Sequence, residues 1–457
     1  MASPGAATRV NTQEAIADDA AGSTSSFEVV LQSAMVAILA AGTATMQARQ
    51  LLITQSAEPF GEAAVISANT GLATAYSLGS LAELLLSPTF GSLSDRFGRK
   101  PVLLSLLVGP ACMRFLCAMI TEPRLRIRML WLDFASARAI GIQPTMGVAN
   151  TMISDSFQGE FKSACLSRLK ATVALGQIIG NYASGWFNAS AGPAYTYVIT
   201  AAVPLMCLAY LRALLPETNP SITCLPEKTV GKGLAPAVCP TRATSNKGAF
   251  CTVFSDPKCC LLALALALSE FTNYAPINSV SILFMKKRLG WGPLQAGRFA
   301  SGVALATFSG AMLMKRIRGA FGDRLGVTLA HCSTALGYLL WGSASSARGM
   351  IACLFPMALG SGASPMLLAR FQERTKELQL EQGEASGVHS AVGAVGRMIA
   401  PQLFLRLWLW AAASRSGGGG GQKAGSVALR PPIGAPMFSV ALLSLVQEAF
   451  HQASWSV

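Results

Sequence analysis

Charge is scarce in this chain. Of 457 residues only 13% are Asp, Glu, Lys or Arg, about half the share a soluble domain carries. That leaves too little polar surface to cover a soluble body of this size. Catalytic signatures are missing as well: there is no HExxH, no GxSxG and no carboxylate pair at catalytic spacing, so no enzyme is expected. The 11 cysteines show neither a disulfide framework nor a zinc site. Cys112, Cys117, Cys165, Cys207, Cys332 and Cys353 fall inside apolar runs, where Cys acts as a small hydrophobe. Cys224, Cys239 and Cys251 are far apart, without a CxxC or a neighbouring His. The first 26 residues lack the basic start and apolar core of a signal peptide, and residues 1–27 read as a disordered tail.

What is abundant is apolar sequence: 52% hydrophobic residues and a mean hydropathy of +0.45. The net charge of +14 sits mostly in short Lys/Arg clusters between apolar runs. That is how a membrane protein marks its cytoplasmic loops, and it argues against nucleic acid as partner. About 20 apolar residues make a span. Twelve candidates follow: 28–48, 65–90, 101–120, 129–152, 164–187, 195–215, 259–284, 294–314, 326–346, 349–369, 385–410 and 433–450. A polar interval at 216–258, rich in Pro, Gly, Thr and Lys, divides them six and six. The expected architecture is an all-α polytopic membrane protein, with bundles at 28–215 and 259–457 joined by a cytoplasmic loop. SRSGGGGGQKAG (414–425) reads as a second flexible loop.

With a cytoplasmic N-terminus, the inner connections hold Arg96, Arg99, Lys100, Lys162, Lys315, Arg316, Arg318, Arg374 and Lys376. Arg124, Arg126, Arg128 and Lys286, Lys287, Arg288 lie on the other side and weaken the bias. Both termini would then be cytoplasmic, and the triplet Asn188-Ala189-Ser190 would be outside as a glycosylation acceptor.

A repeat runs through the halves. Gly91-x-x-x-Asp95-Arg96-x-Gly98 matches Gly319-x-x-x-Asp323-Arg324-x-Gly326, each after the second span of its half. ALGQIIGN (174–181) echoes AVGRMIAP (394–401) on the fifth span of each half. Two matches in register imply a duplicated six-helix unit, an architecture used by transporters.

With GSLSDRFGRK (91–100), LPETNP (215–220) and SARAIGIQPTMG (136–147) in view, the chain resembles the major facilitator superfamily over residues 28–450. Within it, the sequence looks most like the tetracycline-resistance and drug:proton antiporter type, including hippocampus-abundant-transcript-like members. In the decapeptide, Gly91 and Gly98 would let the backbone turn tightly. The resemblance implies that Asp95 faces the positive start of the eleventh helix and that Arg99 pairs with an acid at the inner end of the fourth, where Asp155 is placed. Arg96 and Lys100 would anchor at the membrane surface. A plain topology marker would explain the basic residues but not the aspartate or the glycine spacing.

Ionisable residues inside spans are costly and usually functional. Arg138 on the fourth span resembles a cavity-facing antiporter arginine, or forms a buried structural pair. Glu270 on the seventh span is a protonatable or substrate-contacting candidate, since burial disfavours its charged form; the alternative is a Glu satisfied by Arg397. Asn273 and Tyr274 stand beside it. Arg397, Glu83, His389, Asp133 and Arg114 are further charges within spans. Gly141, Gly176, Gly180 and Gly185 are expected to pack helices closely, and Asn181 stands where the antiporter signature of the fifth helix carries Pro. VVLQSAMVAILAAGTATMQ (29–47) of the first span contains no acid, so coupling would rest on Glu270 or Glu83. The expected function is alternating-access transport of a small organic solute by a monomer in the plasma membrane or an organelle membrane, with protons as the coupling ion and no cofactor. A facilitative or symport carrier, or a non-transporting receptor or scaffold using the polar loop, are the alternatives.

Overall fold

The computed structural model describes residues 5–157, 159–219, 246–275, 281–378, 380, 382–416 and 434–456, with the side chains of most residues from Ser26 onward. All regular structure among them is helical. The first six passes are α1 (Gly5–Ala57), α2 (Glu62–Phe97), α3 (Arg99–Met119), α4 (Pro123–Ala139) continued by α5 (Ile142–Ser156), α6 (Gly159–Ser190) and α7 (Pro193–Leu214). Then α8 (Asn246–Ser255) precedes a seventh pass made of α9 (Pro257–Ala275) and α10 (Ser281–Leu289). The long α11 (Pro293–Ser343) carries the eighth and ninth passes, which meet at Gly322, a non-helical residue with φ of 72°. The tenth pass is broken into α12 (Ala347–Ala352), α13 (Leu354–Gly360) and α14 (Ala363–Glu377); α15 (Gln382–Ser416) and α16 (Ala435–Ser456) complete the twelve.

Three helical stretches are long and apolar enough to span by composition alone: Ser26–Phe60, Arg99–Met119 and Pro193–Leu214. Other passes carry buried charges, glycines or breaks, tolerable in lipid because neighbouring helices satisfy the freed groups. The fourth pass shows the cause of one break. Pro144 has no N–H to offer the carbonyl four residues earlier, and the chain leaves helical geometry at Gly141 (φ −94°, ψ −123°).

Each half holds two apolar cores. In the first half, one core gathers Leu31, Leu103, Met152 and Leu211 at the end bearing Gly98, the basic end. The other gathers Ile53, Tyr76, Leu130 and Tyr197 at the opposite end. The second half repeats this with Leu266, Val327 and Phe371 at the basic end, and Phe284, Trp341 and Phe404 at the opposite end. Ala73 of α2 belongs to that last core, so the halves share packing there. Between the core levels lies a polar layer, described below. Exposed Met206, Phe355 and Leu442 face outward, as side chains in contact with hydrocarbon do.

Small residues set the crossings. A Cβ on Gly176 would lie 2.7 Å from Leu39 Cβ, and one on Gly180 would run into the Ala40 carbonyl, so α6 lies directly against α1. Gly185 meets Gly297 of α11, with a Cβ reaching Gly297 Cα at 3.0 Å, which brings the two halves together. Ser301 Oγ adds a hydrogen bond of 2.9 Å to the Ile178 carbonyl along the same crossing.

Several expectations change. Gly141 is the break in the fourth pass, and its Cβ would strike the Ala137 carbonyl of its own chain; it is not a packing glycine. Gly91 is helical within α2, and the turn falls at Gly98 alone, with φ of 101°. In the second copy the turn falls at Gly322, before Asp323, while Gly326 is helical and covered by Met366. The repeat therefore conserves letters but not the position of the bend. Residues 5–27 continue α1 as helix, in keeping with their Ala-rich composition. Asn188 is buried, donating to Ser184 Oγ at 2.9 Å and accepting from Thr196 at 2.7 Å, so it does not serve as a glycan acceptor in this fold. The central interval from 220 to 245 and residues 417–433 lie outside the described residues.

Gly180→Leu should force α6 off α1 and lower stability by about 1–3 kcal/mol or more, seen as a fall in melting temperature of the detergent-solubilised protein. Gly147, with open space at its Cβ, should accept the same change with little effect. Equal losses would contradict the close crossing.

Candidate functional site

Four charged side chains form a continuous ladder in the polar layer. Arg138 Nη2 of α4 donates to Glu83 Oε2 of α2 at 2.9 Å. The other oxygen, Glu83 Oε1, accepts from Arg397 Nη2 of α15 at 3.1 Å. Arg397 Nη1 then donates to Glu270 Oε2 of α9 at 2.8 Å. Glu83 thus bridges the halves, sharing one carboxylate between a guanidinium from each. The formal charges cancel, two against two. Side-chain exposure is 3% for Glu83 and 7% for Arg397 but 19% for Glu270, so Glu270 is the most accessible acid of the ladder.

The sequence makes room for both pairs in the same way. On α2, Gly79 lies one turn before Glu83, and its Cβ would sit 2.8 Å from Arg138 Cβ. On α15, Gly393 lies one turn before Arg397, and its Cβ would sit 3.1 Å from both Arg397 Nη1 and Glu270 Cγ. Residues four apart share a helix face, so each glycine clears the space its neighbour's partner fills. The Arg138 guanidinium also lies 4.9 Å from the Tyr76 ring centre, a favourable cation–π arrangement.

A second buried group lies toward the opposite end. Arg49 of α1 donates from Nε and Nη2 to Asp133 Oδ2 of α4 at 3.1 and 2.7 Å, and Tyr197 Oη adds a bond of 3.1 Å to the same oxygen. Asp133 is fully buried. Arg114 is buried nearby and donates to the Thr200 carbonyl at 3.0 Å.

At the basic end, Arg99 Nε reaches Asp155 Oδ2 at 3.0 Å and its Nη1 reaches Ser94 Oγ at 2.6 Å. Glu217, from the LPETNP stretch, accepts the backbone N–H of Arg99 at 2.9 Å and of Lys100 at 3.1 Å. A carboxylate here satisfies the otherwise unpaired first-turn donors of α3 and complements its dipole. Lys100 Nζ donates to the Arg212 carbonyl at 2.9 Å and Asn219 Nδ2 to the Ser94 carbonyl at 3.3 Å. Lys100 is therefore a tie to the end of α7 rather than a free surface anchor, whereas Arg96 is exposed. The second half has its own clasp: Arg374 grips Asp256 with bonds of 3.0 and 2.7 Å. Those bonds hold the Asp256 carboxyl below its ordinary range.

Comparison with known proteins gives the family. The family model described as Major Facilitator Superfamily matches residues 29–401. This chain belongs to the Major Facilitator Superfamily. Among its relatives, the Escherichia coli tetracycline resistance protein, class C, is 26% identical over 340 residues, covering 72% of this chain and 78% of that protein. The Homo sapiens hippocampus abundant transcript-like protein 1 is 23% identical over 330 residues, covering 71% and 61%. A crystal structure of a D-xylose-proton symporter superposes with a TM-score of 0.66 at 14% identity, covering 93% and 97% of the two chains.

Of the expected site residues in this superfamily member, Arg138, Glu83, Arg397 and Glu270 converge in one network. Asn181 lies apart from it, accepting from Gln47 Nε2 at 2.8 Å. The side chains of Gly91's neighbour Asp95 and of Asn273 lie outside the described residues. Arg49 and Glu217 were missed. Arg49 falls one residue beyond the assigned first span; Glu217 lies in a recognised string, but its cap on α3 depends on tertiary approach.

Removing one member of a buried pair costs about 3–5 kcal/mol because a charge is left unpaired. Glu83→Gln should destabilise by that order. Adding Arg397→Gln should recover part of the loss, so the two changes should be clearly non-additive in a thermal-unfolding cycle. Simple additivity would mean that the two residues do not touch.

Proposed function

We propose that this protein is a proton-coupled antiporter exporting a small organic solute by alternating access. The observation that carries the reading is the Glu83–Arg397 bond, a buried charge pair joining the two halves at mid-span. Intramembrane charges are costly enough to mark ion or substrate pathways, and a bond between halves changes when the halves rock about a central site.

The half-to-half contacts described at Gly185–Gly297, Ser301–Ile178 and Glu83–Arg397 lie at the middle and opposite-end levels. They support a state closed at that end. By the distribution of basic residues, the Arg99 end is cytoplasmic. A proton reaching Glu270, the most accessible acid, would neutralise one partner of Arg397. The guanidinium would then be freer to meet an incoming solute or to lean on Glu83. Loss of that proton would restore the ladder and reset the halves. Arg99–Asp155 and Arg374–Asp256 would stabilise the basic end of each bundle during the movement. The tetracycline resistance relatives favour a drug-like, partly apolar solute, as do the few fixed charges on the cavity helices.

The test is uptake of tetracycline and a panel of drug-like solutes into proteoliposomes under an imposed pH gradient. The expected result is accumulation of at least one solute, abolished when an ionophore collapses the gradient. Glu270→Gln should lose uphill accumulation while retaining downhill exchange, since an amide cannot take up and release the coupling proton. Undiminished gradient-driven uptake in Glu270→Gln would remove that residue from coupling, and flux indifferent to pH would make the protein an uncoupled carrier.

A further inference from the structure

A further polar cluster lies in the second half, between the ninth and twelfth passes, away from the charge ladder. His331, in the ninth pass on α11, faces Glu448 and His451 on α16, where the acid and the second histidine are three residues apart on one helix face. His331 Nδ1 lies 2.7 Å and His451 Nδ1 3.4 Å from the same oxygen, Glu448 Oε2. One ligand atom from each of the three residues lies within 4.8 Å of the other two. His331 is 1% exposed and His451 fully buried. Among the described residues, neither His331 Nε2 nor His451 Nδ1 has a hydrogen-bond partner. Buried imidazole nitrogens without partners are costly.

From this cluster we infer a binding site for a divalent transition-metal cation of the zinc type, held by His331, Glu448 and His451. Two imidazoles and one carboxylate are the ligand set of open four-coordinate zinc sites. Ligand atoms about 2.0–2.1 Å from a tetrahedral ion stand roughly 3.4 Å from one another. The His451–Glu448 separation already has that value, and the His331–Glu448 hydrogen bond has to lengthen by about 0.7 Å. An outer layer is in place. Thr328 Oγ1 donates to Glu448 Oε1 at 2.7 Å, and Gln452 Nε2 donates to both Thr328 and Glu448, fixing the carboxylate. Partners of this kind orient ligands and tune affinity.

Ion binding has a consequence for Trp455. Its indole N–H donates to His451 Nε2 at 3.1 Å, so in the metal-free arrangement the proton of a neutral His451 is on Nδ1. An ion at Nδ1 moves that proton to Nε2, where it opposes the indole N–H. Each neutral imidazole only shifts its proton between ring nitrogens through solvent, so none is released. Trp455, stacked on the Arg370 guanidinium at 3.5 Å, must then turn away. Occupancy of the site would pin α16 to the start of the ninth pass and report itself through this tryptophan.

The experiment uses the full chain, purified in detergent without a polyhistidine tag, stripped with EDTA and titrated with Zn²⁺ and Co²⁺. One equivalent of Co²⁺ should give the strong visible absorption of four-coordinate cobalt. Zn²⁺ should change tryptophan fluorescence, and Trp455→Phe should abolish that change while keeping the ion. His331→Ala and His451→Ala should each weaken binding by at least about 100-fold, the upper range for disturbing even the supporting partners of a ligand. Cys332→Ser, beside the site but exposed, should bind normally. His331→Gln and His451→Gln, checked for an unchanged melting profile in EDTA, separate lost binding from lost folding. Absence of stoichiometric binding, or affinity unaltered in both histidine variants, overturns the site.

Discussion

Glu83 carries more of this structure than any other side chain. Its two oxygens answer two arginines, Arg138 from its own half and Arg397 from the other. In a low-dielectric interior a lone buried charge is prohibitive, whereas a chain of alternating charges that closes to neutrality is tolerable. The rest follows from keeping that chain intact: glycines one turn away make room, Tyr76 covers one guanidinium, and apolar cores lie above and below. The pairing is not chiefly a source of stability. What it supplies is a contact between halves that depends on charge, and hence on protonation.

Other charges are arranged so that each half behaves as a body. Arg49, Asp133 and Tyr197 tie α1, α4 and α7 together within the first half. Glu217 and Arg99 fasten the start of α3 to the ends of α5 and α7, and Arg374 with Asp256 does the same between α14 and the start of α9. Contacts between halves rest instead on glycine crossings, a few hydrogen bonds and the ladder. Bundles tied within themselves and joined by a partly polar contact suit a rocking movement.

The sequence showed the spans, the duplication and the four members of the ladder, each for a physical reason. Long apolar runs are visible as such, and an ionisable residue inside one is conspicuous because it is expensive. The pairing was not visible, since Glu83 and Arg397 are 314 residues apart and only the packed halves bring them together. Arg49 escaped because hydropathy falls at the edge of a span, although α1 runs on to Ala57. The shared D-R-x-G letters do not mark one bend: the chain turns at Gly98 in one copy and at Gly322 in the other. His331 and Glu448, 117 residues apart on two different passes, carry no local pattern that would join them.

On the proposed mechanism, the Glu83–Arg397 bond sets the balance between the two arrangements of the halves. Pulsed electron–electron spin-resonance distances between labels at Phe97 and Phe321, exposed positions at the basic end of the two halves, test this most directly. The expected result is that Glu83→Gln redistributes the two distance populations at neutral pH. Distance distributions that are identical in wild type and Glu83→Gln at every pH would contradict it.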